Sequence, residues 1–292
     1  MDLLSIANDI DELLAIDCRS IDSMEKCKSV LTNDEHSLKV LTFNIRSYQR
    51  NFNDFKIALK RLDLDFDVVV LTECWLCDGI IFEPLEGYKI YQSLSQVNKC
   101  SGIVTYVKNS WNSEIAPQVH KLDDADSLLI NINNDLTVLG IYRSPSFSNT
   151  DRFISSLDSV LSDNQHKRTL VIAGDININI NDPMSAQAAN YLCLMASHGL
   201  YPAISKPTRG ASCLDHIFIK SETKSSGLVC KSSITDHDFA LAEILLQIHR
   251  HTSKVRMIRK TDWESVASYI NSLNWNEITS ENNVNTASNK FL

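Results

Sequence analysis

Along this chain, short apolar runs rich in β-branched residues alternate with stretches whose apolar positions recur every three or four residues. Leu170-Val171-Ile172-Ala173 is apolar throughout, the pattern of a strand covered on both faces. Gly174 breaks the run, and Asp175 and Asn177 follow with one apolar residue between them. If the strand continues, residues two apart point the same way and both polar groups leave the sheet end together. A turn is the competing reading, because Gly, Asp and Asn are turn residues.

The same pattern places the other elements. Residues 38–43 and 67–72 read as strands that end in Asn44 and Glu73. Between them Asn53 is placed as the cap of a helix running to about Leu64, with Phe55, Leu59 and Leu62 on one face. Such a strand–helix–strand unit sets its strands parallel and brings Asn44 and Glu73 to the same sheet end. Shorter strands are predicted at 88–91 and 102–107, then a hairpin of 127–132 and 136–142 around Asn133-Asn134-Asp135. Helices follow at Phe153, Leu157 and Leu161 and over 186–198, with strands over 214–219, 228–234 and 240–248. Three regions result. Residues 1–37 read as an acidic helical extension, 38–248 as the α/β domain, and 249–292 as a basic-to-polar helical tail.

Composition narrows the class. With 292 residues, 43% of them hydrophobic, the chain can bury a sizeable core. No apolar run approaches the roughly 20 residues that span a bilayer, and the N-terminus lacks the basic start of a secretory signal. Eight cysteines without framework spacing suggest reduced thiols inside a cell. Cys74 and Cys77 have CxxC spacing but no second pair at zinc-site distance, and read as structural. A net charge of −8 argues against nucleic-acid binding by bulk electrostatics. Carboxylates that bind a divalent cation can still accept a phosphate chain, so the charge predicts weak affinity without metal rather than none.

The chemistry-bearing residues gather at predicted strand ends: Asn44, Glu73, Tyr142, Asp175, Asn177, Asp215, Asp236 and His237. Each has an ordinary alternative. Asn44 could cap a helix, Glu73 could be a solvated acid, and Tyr142 could belong to the core. Asp215 could pair with His216, and His237 could sit on the surface. Their joint order is the signal. It resembles the endonuclease/exonuclease/phosphatase superfamily over about residues 38–248. The residues that carry the likeness are Asn44, Thr72-Glu73, Ile141-Tyr142, Gly174-Asp175-Ile176-Asn177, Leu214-Asp215-His216-Ile217 and Thr235-Asp236-His237. Within it the chain looks most like endonuclease domains of non-LTR retrotransposons, through Phe43-Asn44-Ile45-Arg46-Ser47, Tyr142-Arg143-Ser144-Pro145 and Lys206-Pro207-Thr208-Arg209. One departure is Arg46, where apurinic endonucleases keep an Asp, which thins metal ligation from that loop. Two milder ones are Ile176 after Gly-Asp and Thr235 before Asp-His.

The resemblance implies a four-layer α/β sandwich, with two mixed β-sheets face to face between helices. It implies a Mg²⁺-dependent (or Mn²⁺-dependent) endonuclease that leaves a 3′-hydroxyl nick in DNA for target-primed reverse transcription. Glu73, Asn44 and Asp236 would serve the metal. Asp175 would orient or deprotonate the water and Asn177 would position it. His237 would contact the phosphate with Asp215 holding its ring, and Tyr142 would donate to the transition state. Arg143, Arg209 and Lys206 become candidates for DNA-backbone contact, although each also reads as an ordinary surface cation. The implied partners are DNA and a reverse transcriptase region that these residues do not include. The implied location is intracellular, in the nucleus. Two other functions stay open: a phosphatase or phosphodiesterase acting on lipid or inositol phosphates, and a silent binding module.

Overall fold

In the computed structural model of the chain, the described residues are 16–31, 37–76, 82–93, 98–116, 121–246, 263–272, 274–283, 285, 286 and 289. Two sheets dominate. The first contains β1 (Asp17–Ile21), β2 (Ser37–Asn44), β3 (Val68–Thr72), β4 (Tyr88–Gln92), β5 (Val104–Lys108), β12 (Ser225–Cys230) and β13 (Phe239–Leu245), in the order β1-β12-β13-β2-β3-β5-β4. The second contains β6 (Glu114–Ile115), β7 (Ala125–Asn131), β8 (Leu136–Arg143), β9 (Thr169–Asp175), β10 (Tyr201–Pro202) and β11 (Asp215–Lys220), in the order β10-β11-β9-β8-β7-β6. Each sheet has a parallel pair at its heart, β2 with β3 and β8 with β9, flanked by antiparallel neighbours. This shared arrangement leaves no repeat in the sequence.

The side-chain period of two explains the layers. In β2, Leu38 and Val40 join Val171, Ala173 and Ile217 of the other sheet in one apolar layer. Leu41 and Phe43 of the same strand pack outward with Phe52 and Phe55 of α2 (Tyr48–Leu62). Ile172 and Phe218 pack outward from the second sheet, against Phe153 and Leu157 of α3 (Asp151–Asp163) and Tyr191 and Met195 of α4 (Ala186–Ser197). Helix, sheet, sheet and helix make the four expected layers. Gly227 allows close approach, since a Cβ there would meet the Ala203 carbonyl oxygen at 1.7 Å.

Three local expectations change. Asn53 lies inside α2, whose first residue is Tyr48. The Ser47 and Tyr48 N–H groups donate to the Glu73 and Cys74 carbonyls, so the helix start is tied to the chain leaving β3. Residues 16–31 are not a helical extension. They supply β1, parallel to β12 at the sheet edge, and a short helix, α1 (Cys27–Val30), that buries Cys27 and Leu31. Backbone pairing outweighs the partly helical spacing there; residues 1–15 and 32–36 lie outside the described residues. The strand expected at 228–234 is Ser225–Cys230, leaving a loop before β13.

Residues 1–248 form one compact unit and 249–292 a second. The second contains α5 (Trp263–Ser272) and α6 (Trp275–Thr279), while residues 249–262 lie outside the described residues. Among the described residues no helix is long and apolar enough to cross a membrane. Cys74 is buried, with its Sγ donating to the Leu71 carbonyl at 3.3 Å, and burial pushes its thiol up. Its CxxC mate Cys77 lies outside the described residues.

Candidate active site

The apolar layer between the sheets ends in polar groups. In β2 the inward positions Leu38 and Val40 continue to Asn44; in β9, Val171 and Ala173 continue to Asp175. The two end groups meet across the sandwich, where Asn44 Nδ2 donates to Asp175 Oδ2 at 2.8 Å. Tyr142 lies directly beside Asp175 in the parallel register, and Asp215 lies opposite it in the antiparallel one. Facing residues in such pairs share a sheet face, so two carboxylates are brought together, both buried. His237, in the loop before β13, donates from Nδ1 to Asp215 Oδ2 at 2.8 Å. One ligand-type atom each from Asp175, Asp215 and His237 lie within 4.8 Å of one another.

Backbone geometry is unusual here. Among the described residues seven non-glycine residues have positive φ, and five of them (Arg46, Ser47, Glu73, Trp75 and Asn177) lie in the loops leaving β2, β3 and β9. Conformations of this kind cost free energy and concentrate at functional sites. Gly174 has φ +147, and a Cβ there would meet the Ile141 carbonyl oxygen at 1.8 Å. The strand ends at Asp175, so Asn177 does not continue its alternation. Instead Asn177 turns at φ +52, its N–H donates to Asp175 Oδ1 at 3.2 Å, and its Nδ2 donates to the Arg143 carbonyl at 2.9 Å.

Electrostatics follow from burial. Desolvation, the neighbouring Asp215 charge and the field of Glu73 push Asp175 up to about 8, against the opposing effects of His237 and Asn44. Burial opposes charge on His237. Its hydrogen bond to Asp215 and the Asp215 and Asp175 fields outweigh that and raise it to about 9. Burial first, then Glu73 and Asp175, raise Tyr142, so its hydroxyl keeps its proton and donates to Glu73 Oε1 at 3.2 Å. His216 is not the partner of Asp215. Burial lowers it to about 4, and its Nε2 meets the Cys213 carbonyl at 3.1 Å.

Not every candidate lies in this cluster. Asp236 is half-exposed and both its oxygens are engaged, by Arg46 Nη1 at 2.5 Å and by Arg209 Nε at 2.8 Å. Lys206 is exposed. Arg143, expected at the DNA backbone, is instead turned into the protein. It is buried, its guanidinium donates to the Phe147 carbonyl, and its Cζ lies 5.7 Å from the Phe153 ring centroid. A buried guanidinium committed to the carbonyl of its own loop is not presented to a phosphate. Sequence reasoning also misses Thr208. Buried beside the site, its Oγ1 accepts the Leu214 and Asp215 N–H groups and its carbonyl accepts from Asp238. Within Lys206–Arg209 the two cations attract attention, and no local pattern singles out that hydroxyl.

The donor set suits a hard divalent cation, which takes oxygen ligands. Asp175, Asp215 and Glu73 bring three carboxylates against one imidazole. Asp215 Oδ1 is buried without a hydrogen-bond partner among the described residues.

The profile of the Endonuclease/Exonuclease/phosphatase family matches residues 41–237. The chain belongs to that family. Among solved structures it is similar to the endonuclease domain of TRAS1, a telomere-specific non-LTR retrotransposon, at 17% identity and TM-score 0.56, covering 72% of this chain and 99% of that one. A Neisseria 3′ phosphatase bound to product DNA hairpin is 17% identical with TM-score 0.52, covering 71% and 99%. The Xenopus laevis APE2 catalytic domain is 17% identical with TM-score 0.55, covering 71% and 92%. At these identities the likeness speaks for the fold alone. No curated protein matches the chain in sequence.

Proposed function

We propose that this family member is a divalent-metal-dependent nuclease that hydrolyses DNA phosphodiester bonds by in-line water attack. It leaves a 3′-hydroxyl and a 5′-phosphate, in the manner of a non-LTR retrotransposon endonuclease. The observation that carries the reading is the buried Asp175, Asp215 and His237 group at the end of the sheet interface. Phosphodiester hydrolysis needs negative charge neutralised and a water held in line. Asp175, in its ionised form, takes the proton of that water, and Asn177, fixed to Asp175 and to the Arg143 carbonyl, positions it. Asp215 holds the charged His237 ring by Nδ1, so the opposite nitrogen, Nε2, serves the phosphate oxygen. Tyr142, protonated, donates to the developing charge. Mg²⁺ or Mn²⁺ held by the oxygens of Glu73 and Asn44 would supply positive charge at the phosphate and at the leaving oxygen.

DNA is favoured over lipid or inositol phosphates by the retrotransposon endonuclease and the hairpin-bound phosphatase among the similar structures. Such a substrate would bring the protein to the nucleus, and the nick would prime a reverse transcriptase. The test is nicking of supercoiled plasmid with and without Mg²⁺, followed by polymerase extension. Metal-dependent nicks in undamaged DNA, extended directly, support the reading. Nicks that need 3′-phosphate removal, or cleavage confined to abasic sites, count against it. Turnover of a phosphorylated lipid or inositol without DNA cleavage overturns it.

A further inference from the structure

We propose that Arg46 and Arg209, held apart by Asp236, form a separate binding site for a backbone phosphate of the DNA at the mouth of the active site. The proposal rests on the nuclease reading. Asp236 accepts from Arg46 Nη1 on one oxygen and from Arg209 Nε and Nη2 on the other. A guanidinium carries five N–H donors in a fixed fork, so each arginine keeps donors beyond those that Asp236 takes. The side chains of Arg46, Arg209 and Asp236 are 45, 37 and 41% exposed, whereas His237 next in sequence is buried. The trio therefore lies where the site meets solvent.

Both arginines are anchored to that site by one backbone step. The Arg46 N–H donates to Asn44 Oδ1 at 3.1 Å, and the same Asn44 side chain holds Asp175. Arg209 follows Thr208, whose hydroxyl accepts the Asp215 N–H at 3.0 Å. Arg46 also sits at φ 44, a conformation that costs free energy, and an exposed ion pair contributes little to offset it. Two guanidinium groups, Arg46 and Arg209, share one carboxylate, Asp236. The excess is positive, in a chain whose net charge is −8. Asp236 orients the two forks, and an arriving phosphate takes their remaining donors. The carboxylate expected as a metal ligand becomes a positioning residue.

The test is binding of a short duplex in metal-free buffer across 50–200 mM salt, by wild type, Arg46→Gln, Arg209→Gln and Asp236→Asn. Removing one arginine–phosphate interaction should reduce the slope of log affinity against log salt by about 0.9. Both glutamine variants should show that reduction, and Arg46→Lys should restore the slope but only part of the affinity. Asp236→Asn should keep the slope, lose turnover, and bind Mn²⁺ by calorimetry as wild type does. Unchanged slopes in folded glutamine variants overturn the phosphate site while leaving the nuclease reading intact. Mn²⁺ binding weakened tenfold by Asp236→Asn makes Asp236 a metal ligand and also overturns it. A wild type that neither binds nor cuts DNA removes the nuclease reading itself.

Discussion

Asp175 holds its proton at neutral pH because burial and the Asp215 charge disfavour the anion, lifting it from 3.8 to about 8. In the absence of cation, that proton relieves the crowding of carboxylates. Added metal should replace it, since a nearby positive charge favours the ionised form. The rising limb of the pH–rate profile should therefore move to lower pH as Mg²⁺ is increased; a limb that stays put would separate Asp175 from the metal. Stability gives an independent reading. Between pH 6.5 and about 9, His237 binds more protons folded than unfolded, as does Asp175 up to about 8. A native state holding more protons loses stability as pH rises. The melting temperature of the metal-free protein should fall across that window, with a smaller fall for Asp175→Asn. The same substitution should cut turnover by about 10²–10⁴-fold with the circular dichroism spectrum unchanged. Wild-type turnover in a folded variant would remove Asp175 from the chemistry.

At the scale of elements, the parallel pair of β8 and β9 fixes the site. Its register sets Tyr142 beside Asp175, and Gly174 lets β9 pass the Ile141 carbonyl. Gly174→Ala forces a side chain into that oxygen at φ +147. It should destabilise by on the order of 3 kcal/mol, lowering the melting temperature by about 6–12 °C. A shift within a degree or two in a calorimetric scan would mean that the strands separate freely there. The strands themselves are legible in the sequence, because Leu170 to Ala173 cannot be soluble on either face. The start of α2 is not, since two hydrogen bonds to the loop after β3, and no capping residue, decide it.

For the whole molecule, the edge of the first sheet matters most. The hydrophobic pattern starts the domain at residue 38, yet a chain beginning there would lose β1 and the buried Cys27 and Leu31. Each large buried apolar side chain is worth about 1.5–3 kcal/mol, so residues 38–246 should melt well below residues 16–246 in a thermal scan. Equal melting temperatures would show β1 to be dispensable. Burial and side-chain period are written locally, so the strands, the order of Asn44, Glu73, Tyr142, Asp175, Asp215 and His237 along them, and the family were legible in the residues alone. Folding in three dimensions sets the rest: Asp215 pairs with His237 rather than its neighbour His216, Arg143 is buried, and Arg46 meets Asp236. Those pairings join residues up to 190 positions apart, across sheets whose register no local pattern specifies.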